Sequence, residues 1–329
     1  MRFFVASLQA ALFALFLFVP AADGAALRPT RDIPLPGVEG RIDHLAVDLS
    51  GQRLFVCALG NDSLEVIDLQ KGQRLQSITG LGAPQGVAYA FAQNRLYVAN
   101  DKGGLCNIYD GKSLAPVGKL ELADDADNVR YDNAANRVFV GYGNGALGVI
   151  EAATGKLVRS IKLPGHPEAF ALEKNGPRAF VNVPSARQVA VVDRNAGRVA
   201  ATWQMDNASA NFPIALDDDN KRLFVGCRHP AEIIVLASDS GNRVTSIKIA
   251  DDTDDIFYDQ KNHRLYAVCG AGRVEVIEQV NADDYRIVES VRTASGARTG
   301  LFVPELNSLF VAIPQRGSQT ATIRRYQTE

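Results

Sequence analysis

The chain has 329 residues and a formal net charge of −2; 22% of its residues are charged and 47% are hydrophobic. This near-neutral charge provides no basic field that would attract nucleic acid or an anionic membrane surface. The composition is that of a folded globular protein rather than a disordered chain, and it can supply a large apolar core.

The first 26 residues are predicted to be a cleaved signal peptide. Arg2 provides a positive start, an apolar stretch runs from Phe3 to Val19, and small residues follow from Ala21 onwards, as a signal peptidase requires. The apolar stretch is short for a membrane span. We therefore expect a periplasmic or secreted protein whose mature part, residues 27–329, is one domain without a membrane span.

The rest of the sequence repeats one pattern. A run of the type RLFV begins at Arg53 and returns at positions 95, 137, 178, 222, 264 and 308. In each copy an apolar strand-like run precedes it and further strand-like runs follow, with Gly-, Asn- and Asp-rich turns between them. Four short strands every 40 to 45 residues, roughly, are typical of a propeller blade. The sequence predicts an all-β fold, a seven-bladed β-propeller of four-stranded antiparallel blades.

Closure of the ring can also be predicted. The last copy ends after its third strand-like run, ATIRRY at 321–326, and lacks a fourth. Residues 28–37, RPTRDIPLPG, resemble the fourth run of another copy, VRSIKLPG at 158–165. An N-terminal strand that completes the last blade would remove two unpaired sheet edges.

The repeat itself resembles a known family. The run RLYVAN at 95–100, the following LCNIYDGKS and links of the GAPQGVA type resemble the YVTN repeat of YncE-like bacterial propellers. The resemblance covers nearly the whole mature chain. It implies an exported seven-bladed propeller, for which ligand, protein or surface binding is the usual role.

The four cysteines are too few for a disulfide scaffold of this size. Each lies in or beside a predicted strand, and no CxxC spacing indicates a cysteine-rich zinc site. We expect buried free thiols, although one bridge stays possible in an oxidising compartment.

Polar residues cluster in the links that enter the first strand of each blade, which a propeller brings to one end of its channel. The loops between second and third strands share this top face. The candidate ligand-binding residues are His44, Gln85, Arg130, Arg187, Asn211, Arg228, His229 and Arg298. Candidate ligands for calcium or magnesium, which prefer oxygen donors, are Asp43, Asp127, Asn128, Glu168, Asp254 and Asp255. The alternative is a solvated polar rim that binds nothing in particular.

Arg130 differs from the residues at the equivalent position of the other blades. It takes the position that alanine holds in four other blades and phenylalanine in two. A guanidinium near the crowded axis needs a carboxylate or an anionic ligand, and we expect pairing with Asp127 or a neighbouring acid.

These features favour a non-enzymatic, monomeric binding protein that recognises a small polar ligand or a periplasmic envelope protein on its top face. No cofactor beyond a possible calcium or magnesium ion is expected. The alternative is a metal-dependent hydrolase, similar to a lactonase or lyase, with a channel-bound cation and His44 or His166 as proton carrier. Nucleic-acid binding through the arginine-bearing loops is disfavoured by the net charge.

Overall fold

The computed structural model describes residues 25–329, which form seven four-stranded antiparallel sheets arranged as the blades of a β-propeller. The predicted signal peptide lies almost wholly outside these residues and stays a prediction. Within the described range there is no α-helix. No helix found there is long and apolar enough to cross a membrane.

The strands follow one another in the predicted order. The first, β1 (Leu27–Pro34), belongs to the last blade. Blade one consists of β2 (Leu45–Asp48), β3 (Arg53–Ala58), β4 (Ser63–Asp68) and β5 (Gln73–Thr79). Blade two consists of β6 (Pro84–Ala90), β7 (Arg95–Asn100), β8 (Leu105–Asp110) and β9 (Pro116–Glu121). Blade three consists of β10 (Ala126–Asp132), β11 (Arg137–Tyr142), β12 (Ala146–Glu151) and β13 (Lys156–Lys162).

The remaining blades repeat this arrangement. Blade four consists of β14 (Phe170–Leu172), β15 (Arg178–Val183), β16 (Gln188–Asp193) and β17 (Arg198–Gln204). Blade five consists of β18 (Ser209–Asp217), β19 (Arg222–His229), β20 (Ala231–Ala237) and β21 (Arg243–Lys248). Blade six consists of β22 (Thr253–Asp259), β23 (Arg264–Cys269), β24 (Arg273–Asn281) and β25 (Asp284–Arg292). Blade seven consists of β26 (Gly300–Val303), β27 (Ser308–Ile313), β28 (Thr322–Thr328) and β1.

The predicted closure is confirmed. β1 pairs antiparallel with β28, with Ile33 opposite Ile323. Ile33 and Leu35 are each 1% exposed and pack in one cluster with Leu54 and Val56 of blade one. The N-terminal strand therefore completes the last sheet and also joins it to the first blade.

The core lies between neighbouring blades. The aromatic side chain at the centre of each repeated run is at most 2% exposed; these residues are Phe55, Tyr97, Phe139, Phe180, Phe224, Tyr266 and Phe310. In one interface, Phe55 of blade one packs with Val87 and Leu96 of blade two. Each sheet thus buries both faces only because the ring supplies a neighbour on each side.

The innermost strands are irregular at the end where they begin, which we call the top face. Register shifts in four of them leave certain residues out of the β-ladder: Gln85, Asp127 with Asn128, Phe212 with Pro213, and Asp254. Such irregularities redirect side chains from a regular strand. They place polar groups of three blades, and Phe212 of a fourth, at the top end of the central channel.

All four cysteines are buried and free. This confirms the prediction of buried free thiols.

Candidate functional site

A cavity of about 230 Å³ lies at the top end of the channel. Its lining residues come from six blades or the links before them: Arg41, His44, Gln85, Asp125, Asp127, Asn128, His166, Glu168, Ala169, Phe212, Arg228 and Asp254. The wall therefore carries more carboxylates than arginines, and its other members are mostly polar.

One side of this cavity holds a group of metal-binding type. One ligand atom each of Asp127, His166 and Glu168 lies within 4.8 Å of the others. The Nδ1 atom of His166 lies 2.7 Å from the carbonyl oxygen of Gly143. Because a carbonyl only accepts, Nδ1 carries the proton in this contact, and a ring protonated at Nδ1 alone has its lone pair on Nε2. Metal-binding histidines are commonly oriented by such a bond.

Asn128 adds an oxygen with unmet hydrogen-bonding capacity. Its side chain lines the cavity and the residue is only 1% exposed. The amide nitrogen donates to Asp127 Oδ1 at 3.3 Å, whereas Oδ1 of Asn128 has no partner among the described residues. A buried acceptor without a protein partner is uncommon, and a bound ion or water ordinarily satisfies it.

Three carboxyl groups of the cavity have raised pKa values. Burial raises the pKa of Asp127 well above its usual value, and the charges of Glu168 and Asp43 raise it further. Burial, with the charges of Asp254 and Asp43, raises the pKa of Glu168 to about 7. Burial also raises the pKa of Asp254 to about 6, against the opposing charge of Arg228. Burial is the largest cause in each case, and it disfavours the charged form of these carboxyl groups.

Two arginines also line the cavity. Arg41 Nη2 lies 3.1 Å from Asp43 Oδ2 and 3.5 Å from Asp254 Oδ2. Arg228 Nη2 lies 2.6 Å from Asp254 Oδ1, and its guanidinium lies over the Phe212 ring, 4.2 Å from the centroid. Asp43 and Asp254 therefore each have an arginine partner.

Asp127 and Glu168 differ from Asp43 and Asp254 in their ion-pair partners. Among residues 25–329, neither forms an ion pair with a lysine or an arginine. The two carboxylates of the metal-type group thus lack the arginine partners, within ion-pair distance, that Asp43 and Asp254 have.

His44 forms the floor between the cavity and the channel below. Its Nδ1 lies 3.5 Å from Asp255 Oδ2, and its Nε2 lies 3.9 Å from Asp43 Oδ1. Burial lowers the pKa of His44, but the charges of Asp255 and Asp43 outweigh it and raise the value to about 10. The imidazole is therefore a cation at neutral pH.

Several residues predicted from the sequence meet in this cavity. They are His44, Gln85, Asp127, Asn128, Glu168, Arg228 and Asp254. Asp43 is buried against Arg41, and Asp255 lies lower, where its Oδ2 accepts from the Gly300 backbone N–H at 2.9 Å.

Four other predicted ligand residues lie elsewhere. Asn211 is fully buried and donates to Asn182 Oδ1 at 3.2 Å. Arg298 pairs with Asp252 at 2.9 Å. Arg187 and His229 are exposed, and neither lines the cavity.

The expectation that Arg130 pairs with an acid is wrong. No carboxylate of the described chain lies within salt-bridge distance of it; its Nη1 donates to the Val129 carbonyl at 2.9 Å. Its guanidinium lies 5.6 Å from the centroid of the Phe170 ring, in the channel below the cavity. Asp127 instead accepts a hydrogen bond from Asn128 in the cavity. Asp255 lies beside His44 and accepts a hydrogen bond from the Gly300 N–H.

Among the charged and aromatic lining residues, sequence reasoning missed Arg41, Asp125 and Phe212, and it assigned His166 only to proton transfer. Asp125 accepts from Gln85 Nε2 at 3.0 Å and lies 3.4 Å from His166 Nδ1. All four residues belong to the links entering the first strands, and treating every link residue as a candidate would have found them.

No protein-family model and no curated protein matches the chain. It is similar to a solved structure of Kuenenia stuttgartiensis hydrazine synthase, with 16% identity and a TM-score of 0.76, covering 89% of this chain and 98% of that one. It is also similar to a chain of a mitotic checkpoint complex, with 12% identity and a TM-score of 0.77, covering 98% of this chain and 99% of that one. At these identities the likeness concerns the fold alone. The chain is a seven-bladed β-propeller, and its membership of the YVTN-repeat family stays a prediction.

Proposed function

We propose that the protein is an exported binding propeller and that the ligand of its top-face cavity is a divalent metal ion. The observation that carries the proposal is the group of Asp127, His166 and Glu168, whose two carboxylates have no arginine or lysine partner among the described residues. The unpartnered oxygen of Asn128 beside them supports it. Export rests on the sequence of the first 26 residues.

The ligand types favour a first-row transition metal over the calcium or magnesium suggested by the sequence. Calcium and magnesium prefer oxygen donors alone. An imidazole nitrogen with carboxylate and amide oxygens suits zinc or manganese better. The ring orientation imposed by Gly143 leaves Nε2 of His166 as the donor atom.

The test is thermal unfolding of the metal-free protein with and without Zn²⁺, Mn²⁺, Ca²⁺ or Mg²⁺. A bound ion stabilises the folded state by mass action, by about 2.7 kcal/mol at one hundred times its Kd. Asp127→Asn keeps the shape of the side chain and should abolish the gain. Asp239→Asn is the matched control because Asp239 is an exposed carboxylate in the turn after β20.

The expected result is stabilisation of the wild type and of Asp239→Asn, but not of Asp127→Asn, with Zn²⁺ or Mn²⁺ stronger than Ca²⁺. Unchanged melting of the wild type with all four ions would reject the metal proposal. Equal stabilisation of all three proteins would place the ion elsewhere on the molecule.

Hydrolysis is the second candidate, and one observation favours it. Asp254 also lines the cavity and has a pKa of about 6, so its carboxylate could accept a proton from a metal-bound water near neutral pH. Incubation of the metal-loaded protein with a lactone panel tests this. Turnover that Asp254→Asn abolishes would support hydrolysis; no turnover would leave metal binding as the function. Recognition of an envelope protein stays a prediction.

A further inference from the structure

Below the top cavity, the channel contains a larger space with a volume of about 1200 Å³. The innermost strands line it in successive layers, each layer taking one residue from every blade. The upper layer is entirely apolar: Leu45, Val87, Val129, Phe170, Ile214, Ile256 and Gly300. The lower layer is apolar or phenolic: Val47, Tyr89, Tyr131, Leu172, Leu216, Tyr258 and Phe302.

The middle layer contains one charge. Strand register aligns Arg130 with Ala46, Ala88, Ala171, Ala215, Phe257 and Leu301. These equivalents all line the channel. Arg130 is therefore the only charged side chain in the three layers.

This arginine has few partners of its own. Its single hydrogen bond to protein is the one to the neighbouring Val129 carbonyl, in the described part of the chain. A guanidinium carries five N–H donors and does not lose its charge in proteins. Burial lowers its pKa, and the charges of Asp255 and Asp127, neither within ion-pair distance, oppose that shift. The Phe170 ring contacts one face and leaves the donors at its edge unmatched by any acid.

We propose that the channel binds a small amphipathic organic anion, with its carboxylate on Arg130 and its aliphatic or aromatic body against the apolar layers. A carboxylate matches the fork of N–H donors that the guanidinium presents. The volume exceeds the 300 to 1000 Å³, roughly, of ordinary small-molecule pockets, so the body of such an anion fits. This site uses different residues from the metal site and does not depend on it.

Titration calorimetry with decanoate, below its micellar concentration and with chelator present, tests the proposal. We expect Arg130→Met, which keeps an apolar side chain of similar length, to weaken decanoate binding by about ten- to a hundredfold, the effect of a charged hydrogen bond. Arg130→Ala should do the same and fold normally, because four blades carry alanine at this position. Decanol, which lacks the charge, should bind wild type and both variants alike.

Two control variants distinguish binding at Arg130 from binding at another surface of the protein. Arg187→Met removes an exposed arginine of the top face and should leave the affinity for decanoate unchanged. Asp239→Asn, at an exposed carboxylate in the turn after β20, should also leave it unchanged, and the chelator keeps this test independent of the metal proposal. If hexanoate, decanoate and 3-phenylpropanoate all fail to bind the wild type, or bind Arg130→Met as tightly, the proposal is wrong.

Discussion

Arg324 donates two hydrogen bonds to Asp32, at 2.7 and 2.9 Å, across 292 residues of chain. The pair joins β28 to β1 and so lies on the seam that closes the ring. The bond to Arg324 lowers the pKa of Asp32. Because the side chain of Asp32 is 51% exposed, solvent screens the pair and limits its value to at most about 1 kcal/mol. The apolar side chains of β1 must hold the seam.

Ile33 should therefore contribute more than Arg324 to the free energy of unfolding. Ile33 is 1% exposed within the cluster between the last and first blades, and Ile33→Ala should lower the free energy of unfolding by about 2–5 kcal/mol. Arg324→Ala should lower it by less than about 1 kcal/mol. Urea unfolding of the two variants measures both. A larger loss for Arg324→Ala would contradict the view that burial holds the seam.

Removal of the strand should have a larger effect still. Deletion of residues 28–35 would expose the edge of β28 and uncover the cluster that Ile33 and Leu35 share with blade one. Exposed edges pair with other chains, so we expect aggregation or loss of the folded monomer. Size-exclusion chromatography and thermal melts check this, and a truncated protein that melts cooperatively near the wild-type temperature would refute it.

The blades and the closing strand could be predicted because they depend on repeated local patterns. The last blade shows where alignment of repeats failed: Leu301, not Phe302, faces Phe310 as Ala46 faces Phe55. The run GLFVP suggested otherwise because its alignment with the other first strands began one residue too late, at Gly300 instead of Thr299. Leu301 precedes Phe310 by nine positions, the same spacing that separates Ala46 from Phe55, so the register of the last blade is that of the first.

The details of the site were less predictable because they depend on contacts between blades. Asp127 and Asn128 leave the ladder of β10 and β11 at an irregularity that no local motif indicates. The position of Arg130 beside Phe170 of the next blade likewise follows from packing across an interface. Residue type and link position could identify candidates, but not which acids keep an arginine partner.

The charge of His44 should make stability depend on pH. Its pKa of about 10 in the fold lies above the ordinary 6.5. The stabilisation it provides is therefore complete below about pH 6.5 and is lost as pH rises towards 10. The difference in unfolding free energy between wild type and His44→Gln should shrink over that range. Denaturant unfolding at several pH values measures it, with the exposed His263→Gln as control; a pH-independent difference would show that His44 is not a buried cation.

The cysteines should be inert in the native protein. Burial raises the pKa values of Cys106, Cys227 and Cys269 to about 12 and that of Cys57 further above its usual value. Since the thiolate is the nucleophile, a thiol reagent at neutral pH should label none of them before unfolding and all four in denaturant. Rapid labelling of the native protein would show that a thiol is accessible.

Gly86 should control the metal site without contributing a ligand. A Cβ atom at Gly86 of blade two would overlap the backbone carbonyl oxygen of Asp127 in blade three and lie 2.9 Å from Cγ2 of Val129. Gly86→Ala should therefore push the Asp127 backbone away and raise the Kd of the cation by about ten- to a hundredfold, as for residues that orient metal ligands. Gly118→Ala is the matched control, since its Cβ would come no closer than 3.8 Å to another atom. Titration calorimetry with Zn²⁺ or Mn²⁺ gives the affinities. If Gly86→Ala binds the ion as tightly as Gly118→Ala, the metal does not depend on the placement of Asp127, and the proposed coordination would have to exclude that carboxylate.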